Sequence, residues 1–416
     1  MNTYGILLVL SGLVIFSYLF EIVARRTRFP SVLLLLFSGI GLHYLAQLFN
    51  WSFTGLFTVL PILGSVGIIL IVLEGALELK FERSKLAVIS KALIISVIAI
   101  VVSTRLIAHL FEYVTRQPWD MCLANAVPFA IVSSAIAIPS VANLMKAKRE
   151  FIVYESTFSD ILGVIAFNFV ISNKVITAVS FLPLVRDVFL IMVISIVFCL
   201  ILLYLLRRIN HHVKFFLVIS ILIFVYAAGE IFHLSSLVII LAFGLFLNNC
   251  ENIRFQRFRK LFLYDSIGND LKQMHQLSAE SAFIVRTFFF LLFGFSVDLN
   301  SVLNLKVLVI GVVILAFVYF VRTILIGVIS PKNLFPEIFI SPRGLISILL
   351  FFSIPETLRI PNLESGLLFF VILASGLVMT FGLVYYRKDG DGGKDSDPKS
   401  ALDSIFPPEG NINRTI

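Results

Sequence analysis

Apolar stretches long enough to cross a lipid bilayer recur thirteen times along this chain, and no other feature limits its fold as severely. They run at about 4–24, 31–49, 57–77, 88–111, 122–143, 152–172, 183–206, 213–232, 234–248, 280–298, 305–329, 334–353 and 364–386. A helix needs about 20 apolar residues to cross a hydrocarbon core about 30 Å thick, so the ninth run is short. The runs are continuous rather than alternating, which predicts helices and not barrel strands. The expected fold class is an all-α polytopic membrane protein. With 59% apolar and 14% charged residues and a mean hydropathy of +1.01, the chain has too little polar surface for a water-soluble enzyme or a nucleic-acid binder. Cys122, Cys199 and Cys250 form no CxxC pair. That spacing argues against a disulfide framework and a zinc site, and no cofactor is expected.

The net charge of +8 has a topological reading. Loops after odd-numbered spans carry 18 Lys and Arg residues, among them Arg25, Arg83, Lys148, Arg208, Arg257 and Lys332. Loops after even-numbered spans carry 3, namely Arg116, Lys174 and Arg359. Basic excess marks the cytoplasmic side, so the N-terminus is expected outside and the C-terminus in the cytoplasm of a cell (plasma or inner) membrane. Residues 387–416 read as a disordered cytoplasmic tail, and 249–279 as a basic cytoplasmic loop with room for a surface helix.

Ionisable residues within the spans are costly and invite a functional reading. Glu21, Asp298 and Arg286 lie near span ends, where snorkelling accounts for them. Asp160 does not. It lies eight residues into the sixth span, about 12 Å along a helix rising 1.5 Å per residue and near the bilayer midplane. A lone carboxylate there takes up a proton unless a cation stabilises its charge. Ser156, four residues earlier, shares its face. Glu155 points elsewhere, beside Ser159. Arg322 sits deep in the eleventh span and needs an anionic partner, for which Glu155 is the first choice.

Two spans carry interruptions. The fifth reads Ser133-Ser134-Ala135-Ile136-Ala137-Ile138-Pro139-Ser140, and the twelfth reads Ser341-Pro342-Arg343-Gly344. Such interruptions free backbone carbonyls to line a cavity. Lying seven spans apart, they suggest two inverted six-helix repeats, with the break in the fifth helix of each. The expected organisation is a first repeat at 1–172, a linker span at 173–212 and a second repeat at 213–386. Paired breaks in inverted repeats point to a substrate site at the midplane.

At these residues the chain resembles the monovalent cation:proton antiporter superfamily, over essentially all of residues 1–386. The segments that carry the likeness are Arg-Arg-Thr-Arg-Phe-Pro-Ser-Val-Leu-Leu entering span two, Leu-Glu-Gly-Ala-Leu-Glu-Leu at 73–79, Arg-Thr-Phe-Phe-Phe-Leu-Leu-Phe-Gly-Phe-Ser-Val-Asp-Leu at 286–299 and Ser-Pro-Arg-Gly-Leu at 341–345. The family motif Glu-Ser-x-x-Asn-Asp is matched by Glu155-Ser156-Thr157-Phe158-Ser159-Asp160, with Ser159 replacing the first of the final pair. The resemblance implies that Asp160 carries the ion and the proton, that Ser156 is a cation ligand, and that Glu155 pairs with Arg322. It also offers Glu74 and Arg343 as further site residues. The family's usual Thr-Asp-Pro of the broken fifth helix is absent, and Ser133-Ser134-Ala135-Ile136-Ala137 instead looks like the potassium-efflux branch.

The expected function is exchange of H⁺ for Na⁺ or K⁺ by alternating access, with Asp160, Ser156, Ser133, Ser134 and Ser159 around the transported metal cation. A single titrating acid predicts electroneutral exchange. The resemblance implies a homodimer. A channel-like or sensor protein on the same fold is the main alternative. A membrane-embedded glycan-processing enzyme fits less well, because the outside loops are short and nearly uncharged.

Overall fold

The computed structural model describes residues 11–390 except 13, 21, 24–29, 49–55, 80–82, 142–143, 174–180, 209–213, 232–235, 251–255, 257–266, 298, 331–333, 362 and 364. Glu21, Asp298 and the tail beyond Gly390 therefore lie outside the described residues.

The described chain is helical, with short 3₁₀ turns and no strand. The helices are α1 (Ser31–Leu48), α2 (Leu56–Glu78), α3 (Leu86–Thr115), α4 (Trp119–Ala130), α5 (Ser134–Ser140), α6 (Lys146–Ser172), α7 (Phe181–Arg208), α8 (Lys214–Ile231), α9 (Ser236–Asn249), α10 (Ile267–Ser296), α11 (Leu299–Val302), α12 (Leu305–Ile329), α13 (Leu345–Phe352) and α14 (Ser365–Gly390). Among the described residues, seven helical segments are long and apolar enough to cross a membrane; one of them is the interrupted stretch Trp119–Ser140. The chain is a multi-pass membrane protein of all-α class.

Three boundaries depart from the sequence reading. The helix of span ten begins at Ile267, well before residue 280, so part of the expected loop at 249–279 is helix. The last helix runs on to Gly390, past the start of the expected tail. The twelfth span is mostly not α-helix: a 3₁₀ turn at Glu337–Phe339 and an extended stretch precede α13.

Packing divides the helices into two groups. In the first, α10 lies along α1 and α2, while α9 joins α2, α7 and α8. Small residues bring α1 and α10 close: a Cβ on Gly39 would strike the carbonyl of Leu291, and one on Gly294 that of Leu36. Close backbone approach through small residues is how membrane helices gain packing energy when lipid is as apolar as their side chains. In the second group α3, α4, α5, α6, α12, α13 and α14 pack on one another. The principal contacts between the groups are few: α9 with α6, and α2 with α6 and α13. We call the first group the panel and the second the core.

A candidate cation site at two crossing breaks

The fifth span is interrupted at Ile131–Ser133, between α4 and α5. Pro139 lies inside α5 rather than at the break. The break meets the extended stretch at Ser341–Gly344 from the twelfth span. Ser133 N donates to Pro342 O at 2.8 Å. Gly344 permits the crossing, since a Cβ there would collide with the Ser133 side chain.

Buried backbone donors need partners when no water reaches them, and the break supplies one for each. Val132 N donates to Ser159 Oγ at 2.9 Å and Ser134 N to Asp160 Oδ2 at 3.0 Å. Neighbouring residues of α6 thus hold the N–H groups on either side of the one bound by Pro342. Gly163, one turn beyond Asp160, leaves room for Ile131; a Cβ would overlap that side chain.

The carbonyls freed at the end of α4 are held by Arg343. Its Nε donates to Phe129 O at 2.8 Å and its Nη2 to Ala130 O at 3.3 Å. Its Nη1 donates to the carbonyl and hydroxyl oxygens of Ser341. A guanidinium is well suited here because its fixed fork presents several donors at once. It also places positive charge at the negative end of a half-helix.

Asp160 is 4% exposed. Its Oδ2 is engaged by Ser134 N, whereas its Oδ1 has no protein hydrogen-bond partner. The buried hydroxyls of Ser133, Thr157 and Ser347 also lack one. Ser133 adjoins the crossing, and Thr157 is one helical turn from Asp160. Carboxylate and hydroxyl oxygens with unused lone pairs are suitable ligands for a hard cation.

The other residues singled out from sequence fall into distinct places. The Ser156 hydroxyl does not turn to Asp160; it donates to Ile152 O at 2.7 Å, leaving only its lone pairs for another partner. Ser159 is occupied as an acceptor for Val132 N. Glu155 and Arg322 face each other as a doubly hydrogen-bonded pair, with Nη2 to Oε2 at 2.8 Å and Nη1 to Oε1. Arg322 Nε donates to Glu337 O at 2.8 Å. The Glu337 carboxylate receives Lys148 Nζ at 3.1 Å, and the same ammonium donates to Phe335 O and lies over the Tyr386 ring.

Arg286 corrects the snorkelling expectation. It is 9% exposed, pairs with Glu74 at 3.1 Å and donates through Nη1 to Ala135 O at 2.8 Å. Glu74 is correspondingly a partnered acid. The sequence reading missed Glu337, Lys148, Thr157 and Ser347. Glu337 carried a usable signal, since it is an ionisable residue inside the twelfth apolar run. Lys148 was counted among loop charges but lies in the first turn of α6, and nothing in a Thr or Ser along an apolar helix distinguishes a site hydroxyl from a back-bonded one.

The family model described as "Sodium/hydrogen exchanger, transmembrane" matches residues 11–386. Comparison with curated proteins finds no match. Among solved structures, the fold is similar to that of the sodium proton antiporter MjNhaP1 from Methanocaldococcus jannaschii at pH 8. The TM-score is 0.69 at 16% identity, over 92% of this chain and 99% of that one. A second structure of the same antiporter, from electron microscopy, gives a TM-score of 0.67 at 16% identity over 95% and 100% of the two chains. At this identity the likeness is one of fold.

Proposed function

Since this chain belongs to the sodium/hydrogen exchanger family, we propose that it exchanges protons for Na⁺ or K⁺ across a cell membrane by alternating access. The observation that carries this reading is the state of Asp160: a buried carboxylate at the helix break, with one oxygen held by Ser134 N and the other without a protein partner. When protonated it is neutral and tolerates the low dielectric of the core. When deprotonated it needs a counter-charge, which a cation supplies with oxygens of Ser133, Thr157 and the interrupted backbone. Ser134 contributes its backbone N–H, and Ser156 and Ser159 can add only the lone pairs that their present bonds leave. Proton and cation compete for one carboxylate, and that competition couples the two fluxes.

Glu155 is held by Arg322 in a doubly bonded pair, and Ser159 puts no second acid beside Asp160. One carboxylate that carries either one proton or one monovalent cation gives electroneutral exchange. The proposed organisation is two inverted repeats, 1–172 and 213–386, joined by 173–212, with N-terminus outside, C-terminus in the cytoplasm, and a homodimer in the bilayer. The cycle moves a proton on and off Asp160, makes and breaks no bond between heavy atoms, and calls for no cofactor.

The test is proton flux in proteoliposomes driven by Na⁺ or K⁺ gradients. The wild-type chain is expected to acidify or alkalinise the lumen with the cation gradient, and Asp160→Asn to fall to the rate of protein-free vesicles. Flux through Asp160→Asn at the wild-type rate refutes the site. A rate that follows an imposed membrane potential refutes electroneutrality.

A further inference from the structure

Ala135 is the second residue of α5, and its carbonyl lacks the donor that a helix ordinarily supplies four residues on. The residue four positions on is Pro139, which has no N–H. That freed oxygen is taken by Arg286 Nη1 at 2.8 Å. Arg286 belongs to α10 in the panel, and the same guanidinium pairs through Nη2 with Glu74 on α2, also in the panel. Its Nε is buried with no protein partner. One guanidinium therefore reaches from panel to core at a point where the packing between them is sparse.

The oxygens around it form a recognisable set. Glu74 supplies a carboxylate and Ala135 a main-chain carbonyl. Thr157 lies close by, because a Cβ on Gly75, beside Glu74, would meet its Cγ2 at 3.4 Å and its Oγ1 at 4.0 Å. The Thr157 hydroxyl is buried without a partner. Carboxylate, carbonyl and hydroxyl oxygens are the ligand types that hard cations take. Ala135 is joined to Ser134, whose N–H is bonded to Asp160 Oδ2. Thr157 is one turn of α6 from the same aspartate. Both routes from this oxygen set lead to the proposed exchange site.

We propose that the Arg286 guanidinium is a tethered competitor of the transported cation: it occupies an oxygen site formed by Glu74 and the Ala135 carbonyl, and a Na⁺ or K⁺ ion passing to or from Asp160 displaces it. Arg286 then sets the apparent affinity for the cation. A plain strut between panel and core would change turnover or stability without changing that affinity. The proposal rests on the exchange reading for the identity of the ligand, but its binding arm can be measured without transport.

The experiment compares wild type, Arg286→Gln, Arg286→Lys and Glu74→Gln as full chains. Apparent KM and kcat for Na⁺ and K⁺ are read in proteoliposomes. Stabilisation by NaCl or KCl against heat is read in detergent, with choline chloride as the ionic-strength control. Arg286→Gln keeps a donor for Ala135 O and removes the charge, so its apparent KM is expected to fall about fivefold or more. Arg286→Lys is expected to stay near wild type. Glu74→Gln is expected to raise KM by a similar factor. An unchanged or raised KM in Arg286→Gln overturns the proposal, whatever happens to kcat. Should Arg286→Gln fail to fold, Glu74→Gln decides by the same measure, and an unchanged KM there overturns it. A wild-type chain that shows no exchange, yet a lower Na⁺ or K⁺ concentration for half-maximal stabilisation in Arg286→Gln, keeps the competitor role and refutes the exchange reading.

Discussion

Two acid–arginine pairs lie near the breaks, and their settings differ. Glu155–Arg322 lies wholly within the core, on α6 and α12. Both side chains are 3% exposed or less, and both carboxylate oxygens are bonded. Arg322 is further tied by its Nε to the Glu337 carbonyl. Glu74–Arg286 lies at the edge of the panel, with side chains 19% and 11% exposed, one contact at 3.1 Å and a longer one at 3.5 Å. Its third bond crosses to the core at Ala135. The first pair closes on itself and adds rigidity to one group of helices. The second spans a boundary and must be remade if the two groups move against each other. A charge pair is a strut or a switch according to where its remaining hydrogen bonds go.

The largest expected effect tests the strut. Arg322→Ala leaves Glu155 buried and unpaired, which is expected to cost about 3–5 kcal/mol. It should appear as a lowered melting temperature and poor recovery from detergent. Glu155→Ala/Arg322→Ala should recover part of that loss, because removing both charges removes the uncompensated one. Additive losses in the double variant would mean that the two residues do not act as a pair.

A smaller effect tests the break against the pair. Ser159→Ala removes the acceptor of Val132 N in a region without backbone alternatives, at an expected cost of about 1–3 kcal/mol. Thermal unfolding in detergent reads the loss. Ser159→Thr retains the hydroxyl and is expected to lose less than Ser159→Ala. Equal losses would show that the hydroxyl is not what holds the break.

The smallest effect on stability is expected at the boundary. Glu74→Gln/Arg286→Gln removes both charges of a largely buried pair together and leaves no charge unpaired, so its cost should be under about 1 kcal/mol. Because the two single substitutions shift cation affinity in opposite directions, the apparent KM of the double variant should lie between theirs. A stability loss as large as that of Arg322→Ala would erase the distinction between strut and switch.

Much of this could be read from the chain alone, for reasons of solvent. The bilayer makes every charge and every irregular backbone segment conspicuous, so Asp160, Glu155, Arg322, Ser133–Ser134 and Ser341–Gly344 stood out against apolar surroundings. Pro139 was misleading in detail. It marked the fifth span as interrupted, but the backbone departs from helix at Ile131–Ser133, and the lasting effect of Pro139 is the carbonyl it frees at Ala135. Arg286 looked like a residue near a span end because α10 was counted from 280, whereas the helix begins at Ile267. Its position in the helix is then far from either terminus.

The amino-acid order determined by itself that this chain is a bundle of membrane helices with two interruptions and an acid, Asp160, deep within an apolar run, because hydrophobic length and the cost of buried charge act locally along the chain. Only the tertiary structure decided the partners. It set Pro342 on Ser133, Arg343 on the end of α4, Glu337 on Arg322 and Arg286 on both Glu74 and Ala135. Hydrogen bonds between residues of different segments depend on how helices cross, and crossing geometry follows from packing that no single segment encodes.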